Sequence, residues 1–127
     1  MKKLITWVML ANAALFFFGA LQHAGIAIGP FHEPYIIPAT IVEAICGLAL
    51  LFGASALLRN WKRGWGAALI GNLVALSGVA LGIVALALGA GPRTASNDLY
   101  HRIMLVLIAA AIGALVFQRS RSSAHQS

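Results

Sequence analysis

The chain has 127 residues, 61% hydrophobic and only 9% charged, against roughly 25% charged in an ordinary soluble domain. A water-soluble fold of this length has too little interior to hide that much apolar surface, whereas a bilayer accepts it. The formal net charge of +6 does not signal nucleic acid. Its basic residues flank apolar runs and form no stripe interleaved with stacking aromatics.

Four apolar runs order the chain, over residues 4–29, 35–58, 65–90 and 99–117. Each is close to the roughly 20 residues that cross a hydrocarbon core. The expected fold class is all-α: a four-transmembrane-helix antiparallel bundle forming a single membrane domain over residues 1–118. Residues 119–127, RSRSSAHQS, read as a polar, disordered tail. The first run resembles a secretory leader in having Lys2 and Lys3 ahead of it. However, Phe18 would fall three residues before a break after Ala20, where a small residue is needed, so the run reads as a retained helix.

Basic residues set the expected orientation. Lys2, Lys3, Arg59, Lys62, Arg63, Arg119 and Arg121 fall on one side of a four-span arrangement, and only Arg93 and Arg102 on the other. That bias puts both termini and the 59–64 turn in the cytoplasm. Trp7, Trp61 and Trp65 mark the inner interface, and Tyr35 and Tyr100 the outer one. Short connections make sequential helices antiparallel neighbours.

The third run carries a stripe of small residues at alternating steps of four and three: Gly64, Ala68, Gly71, Ala75, Gly78, Gly82, Ala85 and Gly89. In lipid, close backbone approach along such a stripe supplies the attraction between helices. The stripe serves either packing inside the bundle or a homo-oligomer contact. Gly91-Pro92 is expected to close this helix, and Thr94, Ser96, Asn97 and Asp98 offer cap chemistry for the next. The lone Cys46 excludes an intramolecular disulfide and reads as a buried, inert thiol.

The ionisable residues His23, His32, Glu33, Glu43, Asp98, His101 and Arg102 gather toward the outer end. At about 1.5 Å per helical residue, His23 lies about 9 Å in, Glu43 about 10 Å and His101 about 6 Å. Three helices thus bring His23, Glu43 and His101 to similar levels. Glu43 sits among Ile41, Val42, Ala44 and Ile45, so it must be protonated, paired or facing a polar cavity. His23 is the expected partner, with His101 second. Asn97 shares a helix face with His101, and Asp98 is spaced for a surface ion pair with Arg102. Asn12 and Asn72 are spaced for an interhelical hydrogen bond. His32 and Glu33 read as solvated loop residues between Pro30 and Pro34.

Four readings of this cluster are open. It is a hydrogen-bond network that locks helix ends, or a redox- or proton-linked site where His23, Glu43, His101 and Asn97 handle a quinone or small solute. It is otherwise a metal site of His23, Glu43 and His101, or a haem b site of His23 and His101. No nucleophile–base pair or catalytic motif is readable, so no catalytic residue is assigned.

Gly19-x-x-x-His23, a Pro-bearing loop, and Pro38-x-x-x-x-Glu43-x-x-x-Gly47-Leu48 resemble the DoxX-like group of small four-helix bacterial membrane proteins. The resemblance covers residues 10–56. It implies a multi-pass protein of the bacterial inner membrane, in a group with some members linked to quinol or sulfur redox chemistry, and its matched positions are His23 and Glu43. The first expectation is a structural or accessory subunit of a membrane complex. The second is a ligand-handling membrane protein, with the lipid bilayer as partner in both and no nucleic acid in either.

Overall fold

The computed structural model describes residues 1–29, 33–91 and 93–124. They form four helices: α1 Lys2–His23, α2 Ile37–Leu58, α3 Gly64–Ala87 and α4 Ala95–Ala124. All four are long and apolar enough to cross a membrane.

Contacts between successive helices run in opposite chain directions. Gly19, Phe17 and Met9 of α1 meet Glu43, Gly47 and Gly53 of α2 in turn. Gly64, Gly71 and Gly78 of α3 meet Ala56, Ala49 and Cys46 of α2. Gly82 meets His101 of α4, and α4 returns to α1 to close the ring. The result is an up-down-up-down bundle in which α1, α2 and α3 pack most extensively and α4 is held more loosely. Met9, Phe16, Leu50, Leu57, Val79, Met104 and Ile108 fill its centre, each 2% exposed or less.

The small-residue stripe is buried inside this bundle. A Cβ on Gly64 would stand 2.7 Å from the Ala56 carbonyl oxygen, and one on Gly71 2.5 Å from that of Ala49. Backbone therefore lies on backbone along the lower part of α3. Gly78 then faces the Cys46 thiol, and Gly82 faces the His101 ring. Gly89 is not part of the stripe. It lies beyond the end of α3, with nothing within 4 Å of a Cβ built on it.

Helix ends differ from the sequence expectation, and each difference has a local cause. α1 stops at His23 rather than near Gly29 because Gly25 takes a left-handed φ of 87°. Its N–H bonds Gln22 O at 2.9 Å and the Ile26 N–H bonds Leu21 O at 3.0 Å, the crossed pair that ends a helix. The same device closes α3 at Gly89, ahead of Gly91-Pro92. The α1–α2 connection thus spans residues 24–36, and Pro30, Phe31 and His32 within it lie outside the described residues, as does Pro92. Pro38 sits in the first turn of α2, where a missing N–H costs nothing.

α4 begins at Ala95, with the Thr94 hydroxyl accepting the Asn97 N–H at 3.1 Å as an N-cap. It runs to Ala124, so most of the segment expected to be disordered is helical. Arg121 lies 5.0 Å from the Phe117 ring centre, an attraction that supports this extension. Residues 125–127, including His125, lie outside the described residues.

Two expected polar contacts are replaced. Asp98 pairs with Arg93 at 2.9 Å instead of with Arg102. Asn72 donates to the Ala68 carbonyl at 2.9 Å, and neither amide atom of the fully buried Asn12 finds a partner, so the two asparagines are not bonded to each other.

Candidate functional site

Glu43 lies two turns into α2 and is only 6% exposed. Gly19 makes room for it. A Cβ at that position would stand 2.7 Å from both carboxyl oxygens, so only hydrogen at residue 19 leaves this slot open. The expected pairing with His23 or His101 is not formed, and Arg93–Asp98 is the ion pair found among the described residues. Glu43 Oε2 has no hydrogen-bond partner. The Tyr100 hydroxyl is close enough to the carboxyl to act on it electrostatically. That hydroxyl also lies 3.4 Å from Leu15 O, bridging α4 to α1.

The two histidines are turned toward backbone instead. His23 ends α1, and its Nδ1 lies 3.2 Å from Pro34 O. Its own carbonyl accepts the Ile36 N–H at 3.0 Å, which folds the 24–36 connection back over the helix end. His101 Nδ1 lies 2.9 Å from Asn97 O, one turn back on α4. A carbonyl only accepts, so each Nδ1 carries a proton, and in the neutral tautomer Nε2 is then the acceptor. Both residues line the same cavity.

That cavity has a volume of about 350 Å³, and His23, Glu43, Asn97 and His101 all line it. The rest of its wall is apolar, including Ala39, Val42, Gly82 and Ala85. It lies between the upper halves of α2 and α3. Three lining residues, Pro38, Leu81 and Ala90, are exposed, so it opens sideways along the spanning helices and also beyond the end of α3. The four residues singled out in the sequence therefore converge on one space.

A shared metal site is not assembled. Among the described residues, no three His, Cys, Asp or Glu side chains are placed to hold one ion, so His23, Glu43 and His101 do not form a coordination set. His101 Nε2 lies close against Gly82 of α3.

Two site residues are missing from the sequence reading. Tyr100 reads there only as an interfacial aromatic, yet its hydroxyl lies close to Glu43. Glu33 reads as a solvated loop residue but is 7% exposed. Its carboxylate accepts from the Thr94 hydroxyl at 3.0 Å and the Ser96 hydroxyl at 2.6 Å. This clasp ties the α1–α2 connection to the start of α4. Cys46 matches its expectation: it is 2% exposed, with Sγ 3.7 Å from Val74 O.

Comparison with protein-family models, curated proteins and solved structures gives no match to this chain.

Proposed function

We propose that this chain is a ligand-handling protein of the bacterial inner membrane, multi-pass, with both termini in the cytoplasm. It takes a membrane-borne small molecule into the cavity between α2 and α3. One observation carries the reading: His23, Glu43, Asn97 and His101, from three helices, share a cavity of about 350 Å³ that is otherwise apolar. A network serving only to lock helix ends would satisfy its own polar atoms, because an unpaired buried group costs about 1–3 kcal/mol. Here Glu43 Oε2 is buried with no partner. That favours a ligand site over a purely structural subunit.

A carboxyl and two imidazoles beside one ligand are also groups that hold and pass protons. A redox- or proton-linked role toward a quinone-like or other small solute therefore belongs to the same proposal. The resemblance to the DoxX-like group is kept with it, since its two matched positions, His23 and Glu43, both line the cavity. The seven-to-two split of basic residues supports the orientation.

Ala39 is half-buried and lines the cavity, so Ala39→Trp fills the space without cutting into the bundle centre. Solvent extracts of gently purified wild-type protein are expected to contain a small molecule that is depleted at least about tenfold from the Ala39→Trp protein. Identical extracts by mass spectrometry would count against the cavity as a ligand site.

A further inference from the structure

We infer that the ligand's head is a protonated amine, carried on an apolar body: the cavity selects a lipophilic primary or secondary ammonium. The inference rests on the ligand-handling reading above and adds the chemistry of the head.

Charge is the first argument. Glu43 is the one acidic residue lining the cavity, and no Lys or Arg lines it. Neither Arg93 nor Arg102 at this end lines it, and Arg93 is engaged by Asp98 at 3.1 and 2.9 Å. An anionic head would therefore enter an apolar space that offers no positive partner, and would face Glu43. A buried unpaired charge is strongly disfavoured, whereas one ammonium against one carboxylate makes a neutral pair.

Hydrogen bonding is the second argument, and it is independent of charge. The cavity is rich in acceptors and poor in donors. His23 and His101 line the cavity and each commits Nδ1–H to a backbone carbonyl, so in the neutral ring each Nε2 is an acceptor. Glu43 Oε2 is a further acceptor, buried with no partner. Asn97 is the one lining side chain with N–H donors. A ligand that only accepts, such as a ketone or ester head, would leave these lone pairs unmet. A primary ammonium brings N–H donors to a cavity whose polar groups are mostly acceptors. A quaternary ammonium satisfies the charge but none of the hydrogen bonds.

The rest of the site defines the body. Ile36, Val42, Leu81 and Leu86 make an apolar wall, and the sideways opening allows a hydrocarbon tail to extend into lipid. The Gly19 slot holds the carboxyl sterically, without a cation of the protein to neutralise it.

The test uses the full chain in lipid nanodiscs, with empty nanodiscs subtracted, and four dansylated probes of one alkyl length ending in a primary amine, an alcohol, a carboxylic acid or a trimethylammonium group. The amine is expected to bind at least about tenfold more tightly than the alcohol, with the trimethylammonium probe weaker than the amine and the acid weakest. Glu43→Gln, which keeps the size of the side chain, is expected to bring the amine down to the level of the alcohol. Ala39→Trp is expected to abolish binding of both. Equal affinity of amine and alcohol, or an amine preference that survives in Glu43→Gln, would overturn the ammonium head. Provided the alcohol remains sensitive to Ala39→Trp, either result leaves the ligand-handling reading standing. Binding of every probe unaffected by Ala39→Trp overturns that reading and this inference together.

Discussion

Gly71→Leu is expected to unfold or disassemble the bundle, while Gly66→Leu, little more than one turn away on the same helix, leaves its thermal stability unchanged or slightly raised. The contrast follows from what a side chain would meet. At Gly71 a Cβ stands 2.5 Å from the Ala49 carbonyl oxygen and 3.1 Å from its carbon. These are backbone atoms and cannot rotate aside, so α2 and α3 must separate along the face that holds the bundle. Overpacking typically costs about 1–3 kcal/mol and more where nothing can yield. At Gly66 nothing lies within 4 Å, and replacing a helical glycine recovers up to about 1 kcal/mol of helix propensity. At Gly78 the obstacle is the Cys46 thiol, a side chain, so substitution there is expected to fall between the two. Thermal unfolding of the variants in one detergent measures this order. Equal melting of Gly71→Leu and Gly66→Leu would remove the α2–α3 contact from the account.

Gly19→Ala is the second large effect, and it acts on the site itself. The added methyl would stand 2.7 Å from both Glu43 oxygens and 2.9 Å from the carboxyl carbon. The carboxyl must leave its slot, at an expected cost of about 1–3 kcal/mol. A double-mutant cycle separates this cause from a general effect on α1. In a Glu43→Ala background the obstacle is gone, so the same Gly19→Ala change is expected to cost close to nothing, giving a coupling of about 1–3 kcal/mol between the two positions. Ligand binding is expected to fall in Gly19→Ala even though every polar group of the cavity is still present. Additive effects across the cycle would mean that Gly19 does not position Glu43.

How far the sequence alone leads depends on which physical signal each feature leaves. The four helices were legible because apolar runs near 20 residues have few other uses. His23, Glu43, Asn97 and His101 were legible because polar groups in spanning helices are costly and stand out against Val, Ile and Leu. Their exact partners were not. Periodicity places a residue on a helix face but does not say that a ring turns toward a carbonyl one turn away, as His101 does toward Asn97. The end of α1 was misplaced because Gly25 and Ile26 continue the hydropathy of the run, while the left-handed φ of Gly25 ends the helix. Counting depth from Gly29 therefore put His23 too far in. It is the last residue of α1 and is buried by the returning 24–36 connection. Glu33 was misread for a related reason. Its partners Thr94 and Ser96 are more than 60 positions away, and no local pattern links them.

The polarity of the molecule also bears on the proposed role. Glu33, Glu43 and Asp98, the three acidic residues, all lie toward the end of the bundle that holds the cavity. The opposite end carries Lys2, Arg59, Lys62, Arg63 and Arg119, with Lys2 bonded to the Asn60 side chain across the α1 start and the α2–α3 turn. The Glu33 clasp holds the α1–α2 connection to the start of α4 at this end, and the exposed Pro38 and Leu81 flank the lateral opening of the cavity.

The most direct measurement of the central claim is nitrogen NMR of the imidazole rings, with His23 and His101 assigned by single His→Gln variants, during titration of the alkyl primary amine. If α1, α2 and α4 deliver His23, Glu43 and His101 to one ligand, the Nε2 signals of both rings move together along a single saturable curve. The same titration of Ala39→Trp moves neither. Rings that stay silent while the amine binds, or that respond unchanged in Ala39→Trp, would contradict a ligand cavity shared by the three helices.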